Sequence, residues 1–266
     1  MDTAEAETHG QVGTRVIDVP IGPSGLRVDA VIPVYNEEHV LARSVETLRA
    51  FLREHLSQHR WRIVVADNAS IDGTLAVAQR LAAQYPGEVA YIHLPRKGRG
   101  RALRRAWLES DADILSYMDV DLSTGIESYP ELVQAIVNGY DVSTGSRLLP
   151  QSQTTRSPKR EFISRCYNLM TKVSHFTHIS DMQCGFKAIS RKAAFELVPL
   201  VQNNEWFFDT ELLLLAEKFG YRIKEIPVRW VEDPDSRVNI RKTAMEDIRG
   251  LTRLRLHPPA RPSRTR

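Results

Sequence analysis

Two carboxylates one residue apart, Asp119 and Asp121, close the apolar run ILSYMDVD of residues 114–121. A strand ending in D-x-D delivers two hard oxygen donors to one point. Such a pair can hold a divalent cation that bridges two phosphates. Mg2+ and Mn2+ prefer oxygen ligands of this kind, and the cation would neutralise a departing diphosphate. Alone, D-x-D is a weak signal. It gains weight because three other segments here also read as strand ends: VIPVYNEE (31–38), VVADNASIDGT (64–74) and LPRKGRGRA (94–102).

The elements that must position these ends follow from periodicity. Residues 26–38 read as a strand ended by Pro33, and Val40, Leu41, Val45, Leu48 and Leu52 have helical spacing after it. The same alternation continues through a second strand (61–70) and helix (72–85), and a third strand (88–95) and helix (100–110). A fourth strand (112–121) and helix (129–139) follow, then a fifth strand (140–147). Strands alternating with helices predict an α/β fold, a Rossmann-like, mostly parallel central sheet flanked by helices. In such sheets ligands bind beyond the carboxyl ends of the strands. The rhythm breaks after Arg147 in a polar stretch, 148–160, that reads as a mobile loop. A helix (161–176) and a second patterned region to residue 232 come after it.

Composition excludes several classes. The 266 residues are 42% hydrophobic and 26% charged, with a net charge of +3, as in an ordinary globular protein. No apolar run of transmembrane length occurs, and the acidic, polar start is not a secretory signal. Two cysteines, Cys166 and Cys184, make no disulfide framework or metal spacing and suit a reducing cytoplasm. Residues 241–266 hold eight Lys or Arg against two Asp or Glu, a basic end fitted to an anionic surface. The organisation expected is a tail (1–26), a catalytic domain (27–238), an amphipathic basic helix (239–256) and a disordered tail (257–266).

The motifs VIPVYNEE, ADNASIDGT, KGRGRALRRAW and MDVDLSTG, in this order, resemble the inverting family 2 glycosyltransferases with the GT-A fold. Downstream, STGSR, KREFISR, DMQCGFKAISRKAA, WFFDTELL and EIPVRWVEDPDSRV look like the polyprenyl-phosphate branch, which holds dolichyl-phosphate glucosyltransferases and mannose synthases. QCGFK and the length of WVEDPDSRV look closer to the glucosyl members. The resemblance covers about residues 28–255. It implies transfer of a hexose from a nucleotide-diphosphate sugar, of UDP-glucose or GDP-mannose type, to a polyprenyl or dolichyl phosphate, giving a β-linked lipid-phosphate sugar.

Residue roles follow from that resemblance and from side-chain chemistry. Pro33, Tyr35, Glu37, Asp67, Lys97, Asp119, Gly185 and Arg237 are the nucleotide-sugar candidates. Tyr35 could stack on a base and Glu37 accept from base or ribose; the alternative is a turn and a helix-dipole carboxylate. Asp67 is the base reader implied, whereas Asp72 reads as a helix cap. Lys97 faces phosphates, with Gly98 and Gly100 admitting an anion at a helix start. Gly185 allows backbone to approach the sugar. Asp121 is the principal metal ligand and Asp119 touches metal or phosphate. Arg147, Arg160 and Ser164 form an acceptor-phosphate pocket, since guanidinium groups suit phosphate oxygens; an exposed basic helix start is the other reading.

Asp209 lies where the wider family keeps its base. It is either an orienting residue or a true base for a soluble hydroxyl acceptor; the phosphate acceptor needs none. His175 and His178 read as structural or interfacial, and Cys184 as packing. The partners expected are the donor, the lipid phosphate, and a membrane surface or membrane protein, without nucleic acid; a homo-oligomer is left open. Ile240, Ala244, Ile248, Leu251 and Leu254, among cations, read as an interfacial helix, with a helix packed on the domain as the alternative. Location is expected to be cytoplasmic, peripheral on the cytoplasmic face of the membrane.

Overall fold

The computed structural model describes residues 25–232 and 240–261, the side chains of 240–242 excepted. Arg237 and most of the expected tails, 1–24 and 262–266, lie outside the described residues. The chain runs β1 (Arg27–Val34), α1 (Leu41–His55), β2 (Arg60–Asn68), α2 (Thr74–Gln84), β3 (Val89–Leu94), α3 (Arg99–Leu108), β4 (Ile114–Met118), α4 (Tyr129–Val137) and β5 (Val142–Ser146). It continues through β6 (Gln153–Thr155), α5 (Pro158–His175), β7 (Phe186–Ser190), α6 (Arg191–Leu197), α7 (Phe208–Lys218), β8 (Ile223–Pro227), β9 (Arg229–Val231) and α8 (Ile240–Leu256). The four strand–helix units and the fifth strand expected from periodicity are all present.

The main sheet has the order β3-β2-β1-β4-β7-β5-β8, and β6 pairs with β9 separately. Pairing is parallel between β1, β2, β3 and β4, and between β5 and β8. Strand β7 is antiparallel to both β4 and β5. The fifth strand is therefore not the neighbour of the fourth, as unbroken α/β winding would make it. Two strands antiparallel to a common neighbour run the same way, so β4 and β5 end at one edge. Helices cover both faces, which explains why β1 and β4 are buried almost throughout rather than at alternate residues. Val31, Leu115 and Tyr117 pack on one side with Trp107, Phe208 and Leu212. Ile32, Ile114 and Met118 pack on the other with Leu48, Leu52 and Leu132.

Helix α8 closes the first of these layers. Its Leu251 and Leu254 are buried, so part of its apolar side turns against the domain, and Arg253 donates to the buried carboxylate of Glu211 at 2.7 Å. Among the described residues no helix is long and apolar enough to cross a membrane. Asp247 on α8 is buried with one long hydrogen bond, from Gln183 Nε2 at 3.3 Å. Burial, and then the neighbouring Glu246 charge, pushes its carboxyl up to about 7.

A raised acid is a folded state that binds its proton more tightly than the unfolded chain. Its contribution is complete at acid pH and is lost as pH climbs from the ordinary carboxylate value to about 7. Asp247→Asn is therefore expected to stabilise the protein by about 1–3 kcal/mol at pH 8 and to change little near pH 4. Thermal unfolding across that range checks it; an equal effect at both ends would refute the assignment.

Candidate active site

The parallel register brings the carboxyl ends of β1, β2 and β4 side by side: Val34 pairs with Asp67, and Val31 with Tyr117. Three non-glycine residues just past these ends have left-handed backbone: Asn36 (φ 57°), Ala69 (φ 59°) and Leu122 (φ 52°). Such conformations cost energy and cluster where surrounding contacts over-determine a loop. The contacts here are specific. Asn36 N–H donates to Ser70 Oγ at 3.0 Å and Ile71 N–H to Asn36 Oδ1 at 2.9 Å. Gly73 N–H donates to Glu38 Oε2 at 2.7 Å. Asp72 accepts from Thr74 N–H at 3.0 Å, one residue before the cap position of α2, which is close to the helix-start role expected.

The D-x-D segment makes a tight turn beyond β4. Leu122 N–H donates to Asp119 O at 3.2 Å, and Ser123 N–H to Asp121 Oδ1 at 2.9 Å. Asp121 is exposed and the Asp119 side chain is 40% exposed. Met118 pairs with Phe186 across the antiparallel β4–β7 ladder, which sets Gly185 beside Asp119. A Cβ on Gly185 would lie 1.9 Å from Asp119 Oδ2. Gly185 thus makes room for the aspartate, whereas the sequence reading had it make room for the sugar. Among the described residues no group of three or more His, Cys, Asp or Glu gathers as a metal cage. Two carboxylates at an open turn fit Mg2+ or Mn2+, which commonly keep phosphate and water oxygens for their remaining positions.

Beneath Asp119 lies a buried charge cluster. Arg99, opening α3, donates from NH2 to Asp119 Oδ1 and from NH1 to Asp209 Oδ2, both at 2.6 Å. Its guanidinium also stands 4.9 Å from the rings of Tyr117 and Trp206. Asp209, in the first turn of α7, is further held by Lys187 Nζ at 3.3 Å and by the Tyr117 hydroxyl. Burial by itself would raise Asp209, but Lys187 and Arg99 outweigh it and hold the carboxyl below its usual range. Burial and the Asp209 charge push the Tyr117 phenol well up. A carboxylate with three such partners is held ionised and is a poor proton acceptor.

The sequence reading missed Arg99. It took KGRG for a phosphate loop, yet Gly98 N–H is donated to Asn68 Oδ1 at 2.7 Å. Gly100 faces α7, where a Cβ would meet Phe208 Cβ at 2.6 Å. Gly100 serves close helix packing and Gly98, at φ 154°, a close approach to the Asn204 carbonyl, and the arginine between them reaches the aspartates. An arginine flanked by two small residues was the available signal.

On the nucleotide side, Pro33 is half-buried in β1, and Lys97 Nζ sits 3.5 Å from the Tyr35 ring centre. Glu37 stands at the turn into α1, where its carbonyl accepts from Leu41 N–H at 3.0 Å. Asp67 is fully buried with Oδ2 2.6 Å from His93 Nδ1. His93, which the sequence reading passed over, is the exposed end of that pair.

The expected acceptor pocket is redistributed. Arg147 follows β5 and makes a two-pronged contact with Asp181, Nε to Oδ2 at 2.7 Å and NH2 to Oδ1 at 2.9 Å. Burial would raise Asp181, but the Arg147 guanidinium brings its carboxyl down to about 2. Arg160 is occupied by Glu232 Oε1 at 2.9 Å. Ser164 is buried and its Oγ has no hydrogen-bond partner among the described residues. Arg156, not singled out from sequence, has a side chain 4% exposed, and its NH2 lacks a hydrogen-bond partner among the described residues. Its Nε lies 2.8 Å from Glu161 Oε2, in ion-pair range but out of line for a hydrogen bond. Arg147 and Arg156 flank one ring, at 5.5 Å and 5.4 Å from the centre of Trp230. Burial and the charge of Arg147 both weaken the hold of Arg156 on its proton, a tension an anion would relieve.

Cys184 is buried, its thiol pushed up to about 12, and His175 Nε2 lies 3.1 Å from Leu251 O, in keeping with structural roles.

Comparison with known proteins gives concordant results. The model of the glycosyl transferase family 2 domain matches residues 29–197. The Haloferax volcanii glycosyltransferase AglD is 37% identical over 229 residues, 86% of this chain, and this chain spans only 36% of that relative's length. The dolichyl-phosphate beta-glucosyltransferase of Saccharomyces cerevisiae is 27% identical, covering 86% of this chain and 74% of the relative; that of Homo sapiens is 28% identical, covering 80% and 69%. Among solved structures, glucosyl-3-phosphoglycerate synthase from Mycobacterium tuberculosis, in complex with Mn2+, UDP and glucosyl-3-phosphoglycerate, superposes with a TM-score of 0.62 at 19% identity. That match covers 89% of this chain and 82% of the other, and at such identity it speaks for the GT-A fold alone.

Proposed function

This chain belongs to glycosyl transferase family 2, and from that premise we propose that it transfers a hexose, glucose first among the candidates, from a nucleoside-diphosphate sugar to a polyprenyl or dolichyl phosphate. The sugar and acceptor class follow the names of its dolichyl-phosphate beta-glucosyltransferase relatives. The observation that carries the acceptor reading is the state of Asp209. The family resemblance puts it where a base would be kept, yet Arg99, Lys187 and Tyr117 hold it ionised. An acceptor that arrives already ionised suits such a site, and a phosphate is ionised at neutral pH. An alcohol would need a free base.

In this reading Tyr35, Glu37 and Asp67, with Pro33 beside them, hold the nucleoside, and Lys97 meets the diphosphate. Arg237, in the segment before α8, is a further donor-binding candidate. Asp121, with Asp119 beside it, would hold Mg2+ or Mn2+, which when bound supplies positive charge to the leaving diphosphate. Arg147 and Arg156 orient the acceptor phosphate, with Ser164 as a hydroxyl donor and Arg160 at the rim. A phosphate oxygen attacks the anomeric carbon opposite the leaving group. A new carbon–oxygen bond forms, the bond to the donor diphosphate breaks, and nucleoside diphosphate departs with its electron pair, inverting an α-linked donor to a β-linked product. No proton has to be removed. The acceptor's bilayer anchor puts the reaction at a membrane surface, the cytoplasmic face being the side where nucleotide sugars are made.

The test is a product assay crossing UDP-glucose and GDP-mannose with polyprenyl phosphate and with the corresponding polyprenol. Transfer is expected to the phosphate and not to the alcohol; efficient transfer to a hydroxyl acceptor would replace this reading with one in which Asp209 is freed to act as base. Arg156→Ala is expected to raise KM for the lipid phosphate about tenfold or more while leaving KM for the nucleotide sugar near its original value. Equal rises in both would count against the pocket.

A further inference from the structure

Helix α5 is inside out. Its buried positions are Ser164, Tyr167, Asn168 and Thr171. Its exposed positions include Phe162 (70%), Leu169 (63%), Val173 (67%) and Phe176 (72%), the last at its C-cap. These four, with exposed Cys166 between them, recur at seven-residue and four- or three-residue steps, which on a helix is one continuous stripe. The polar side has partners within the fold. Tyr167 bonds Thr210 Oγ1 at 2.7 Å, and Asn168 Oδ1 accepts from Met182 N–H at 3.0 Å. The apolar side chains are exposed instead. Single exposed apolar residues are ordinary; a stripe running the length of an 18-residue helix marks an interaction surface.

The stripe continues onto α8. Arg255 stands 5.4 Å from the Phe176 ring, and Ile248, seven residues before it and therefore on the same helix face, is 48% exposed. The two helices together carry nine Lys or Arg against three Asp or Glu, and Arg165, Arg249 and Arg255 are exposed among the apolar side chains.

We propose that the stripe Phe162–Cys166–Leu169–Val173–Phe176 of α5, extended by Ile248 and Arg255 of α8, is the surface by which the protein lies on an anionic lipid bilayer. Apolar side chains that enter the headgroup boundary, ringed by cations each favoured by about 1 kcal/mol near an anionic surface, are what peripheral binding requires. A soluble protein partner would match the apolar stripe but gives no reason for so one-sided a basic rim. Position supports the same occupant. The first turns of α5 carry Ser164 and follow directly on Arg156, so the stripe begins at the candidate acceptor pocket and a lipid chain leaving that pocket meets apolar side chains. The choice of a bilayer as occupant rests on the lipid-acceptor reading. Of the apolar residues that make α8 read as either an interfacial helix or one packed on the domain, Leu251 and Leu254 are buried and Ile248 is exposed.

The experiment is vesicle co-sedimentation of the full chain with phosphatidylcholine and phosphatidylglycerol in equal parts. The vesicles contain neither polyprenyl phosphate nor nucleotide sugar, so the result does not depend on the reaction. The wild type is expected to bind at low salt, more weakly to phosphatidylcholine alone. The triple variant Phe162→Ser, Leu169→Ser, Val173→Ser, exposed and so expected to keep the fold and its unfolding midpoint, should lose about tenfold or more in vesicle affinity. It should still transfer sugar to a short, detergent-dispersed polyprenyl phosphate. Loss of that transfer in the wild type would sink the acceptor reading and leave the surface standing. Unchanged vesicle binding by the variant, no binding by the wild type, or a wild-type dimer that the triple variant dissociates would each overturn the surface as a membrane face; the last would make it a contact between copies of this chain.

Discussion

Asp121→Asn is expected to cut sugar transfer by about 10²- to 10³-fold or more with the fold unchanged. The substitution is nearly isosteric. Asparagine keeps an Oδ1 for the Ser123 N–H, now 2.9 Å away, so the turn beyond β4 has no reason to open. What is lost is one negative charge at an exposed strand end, which a divalent cation and a diphosphate would sense. The measurement is kcat/KM for both substrates over a range of Mn2+ concentrations, with thermal unfolding alongside. Near-normal, metal-dependent turnover would remove Asp121 from the metal site. Asp119→Asn is a less clean probe, because Asp119 also neutralises Arg99. Its loss would disturb the buried cluster as well as the metal.

The second large effect is on stability. Arg99→Met is expected to destabilise the protein by about 3–5 kcal/mol, since it leaves a buried carboxylate short of a partner rather than removing a balanced pair. Asp209 would keep Lys187 and Tyr117, while Asp119 would lose its ion pair. The pH dependence distinguishes this cause from lost packing. Asp209 has a depressed folded value, so its contribution is present above the ordinary carboxylate range and is lost as pH falls through that folded value. Without Arg99 the folded value rises, and the loss of stability should set in at higher pH than in the wild type. Adding Asp209→Asn to Arg99→Met should recover part of the loss, a coupling readable from a double-mutant cycle. Strictly additive effects, or a stability loss flat with pH, would show that Arg99 and Asp209 act independently.

Both expectations rest on features of different legibility. The strand–helix rhythm was open to sequence reading because it is local: Val45, Leu48 and Leu52 repeat at helical spacing whatever lies around them, and all three are buried. So was the D-x-D turn, since an apolar strand that ends in two carboxylates says where they go. Parallel winding then places the ends of β1, β2 and β4 together by topology alone. The family motifs along 28–255 extended that reading to the reaction.

The charge partners were not legible, and the reason is physical. Strand β7 enters the sheet antiparallel between β4 and β5, pairing Met118 with Phe186. Only that register sets Gly185 against Asp119 and carries Lys187 to Asp209. Arg99 meets Asp209 across a separation of 110 residues, and nothing in the spacing of KGRGR announces it. The arginines show the same limit. Arg147 and Arg160 both read as phosphate-binding cations by type, but Asp181 engages the first and Glu232 the second. Arg156, which nothing in the sequence singles out, keeps a buried nitrogen without a hydrogen-bond partner among the described residues. On α5 the sequence shows an amphipathic helix without saying which face turns inward. Packing decides that: Tyr167, Asn168 and Thr171 find partners inside, and the apolar stripe is left for the surface. Periodicity is a property of a segment. Charge neutralisation and the orientation of a face are properties of neighbours, and neighbours exist only once the chain has folded.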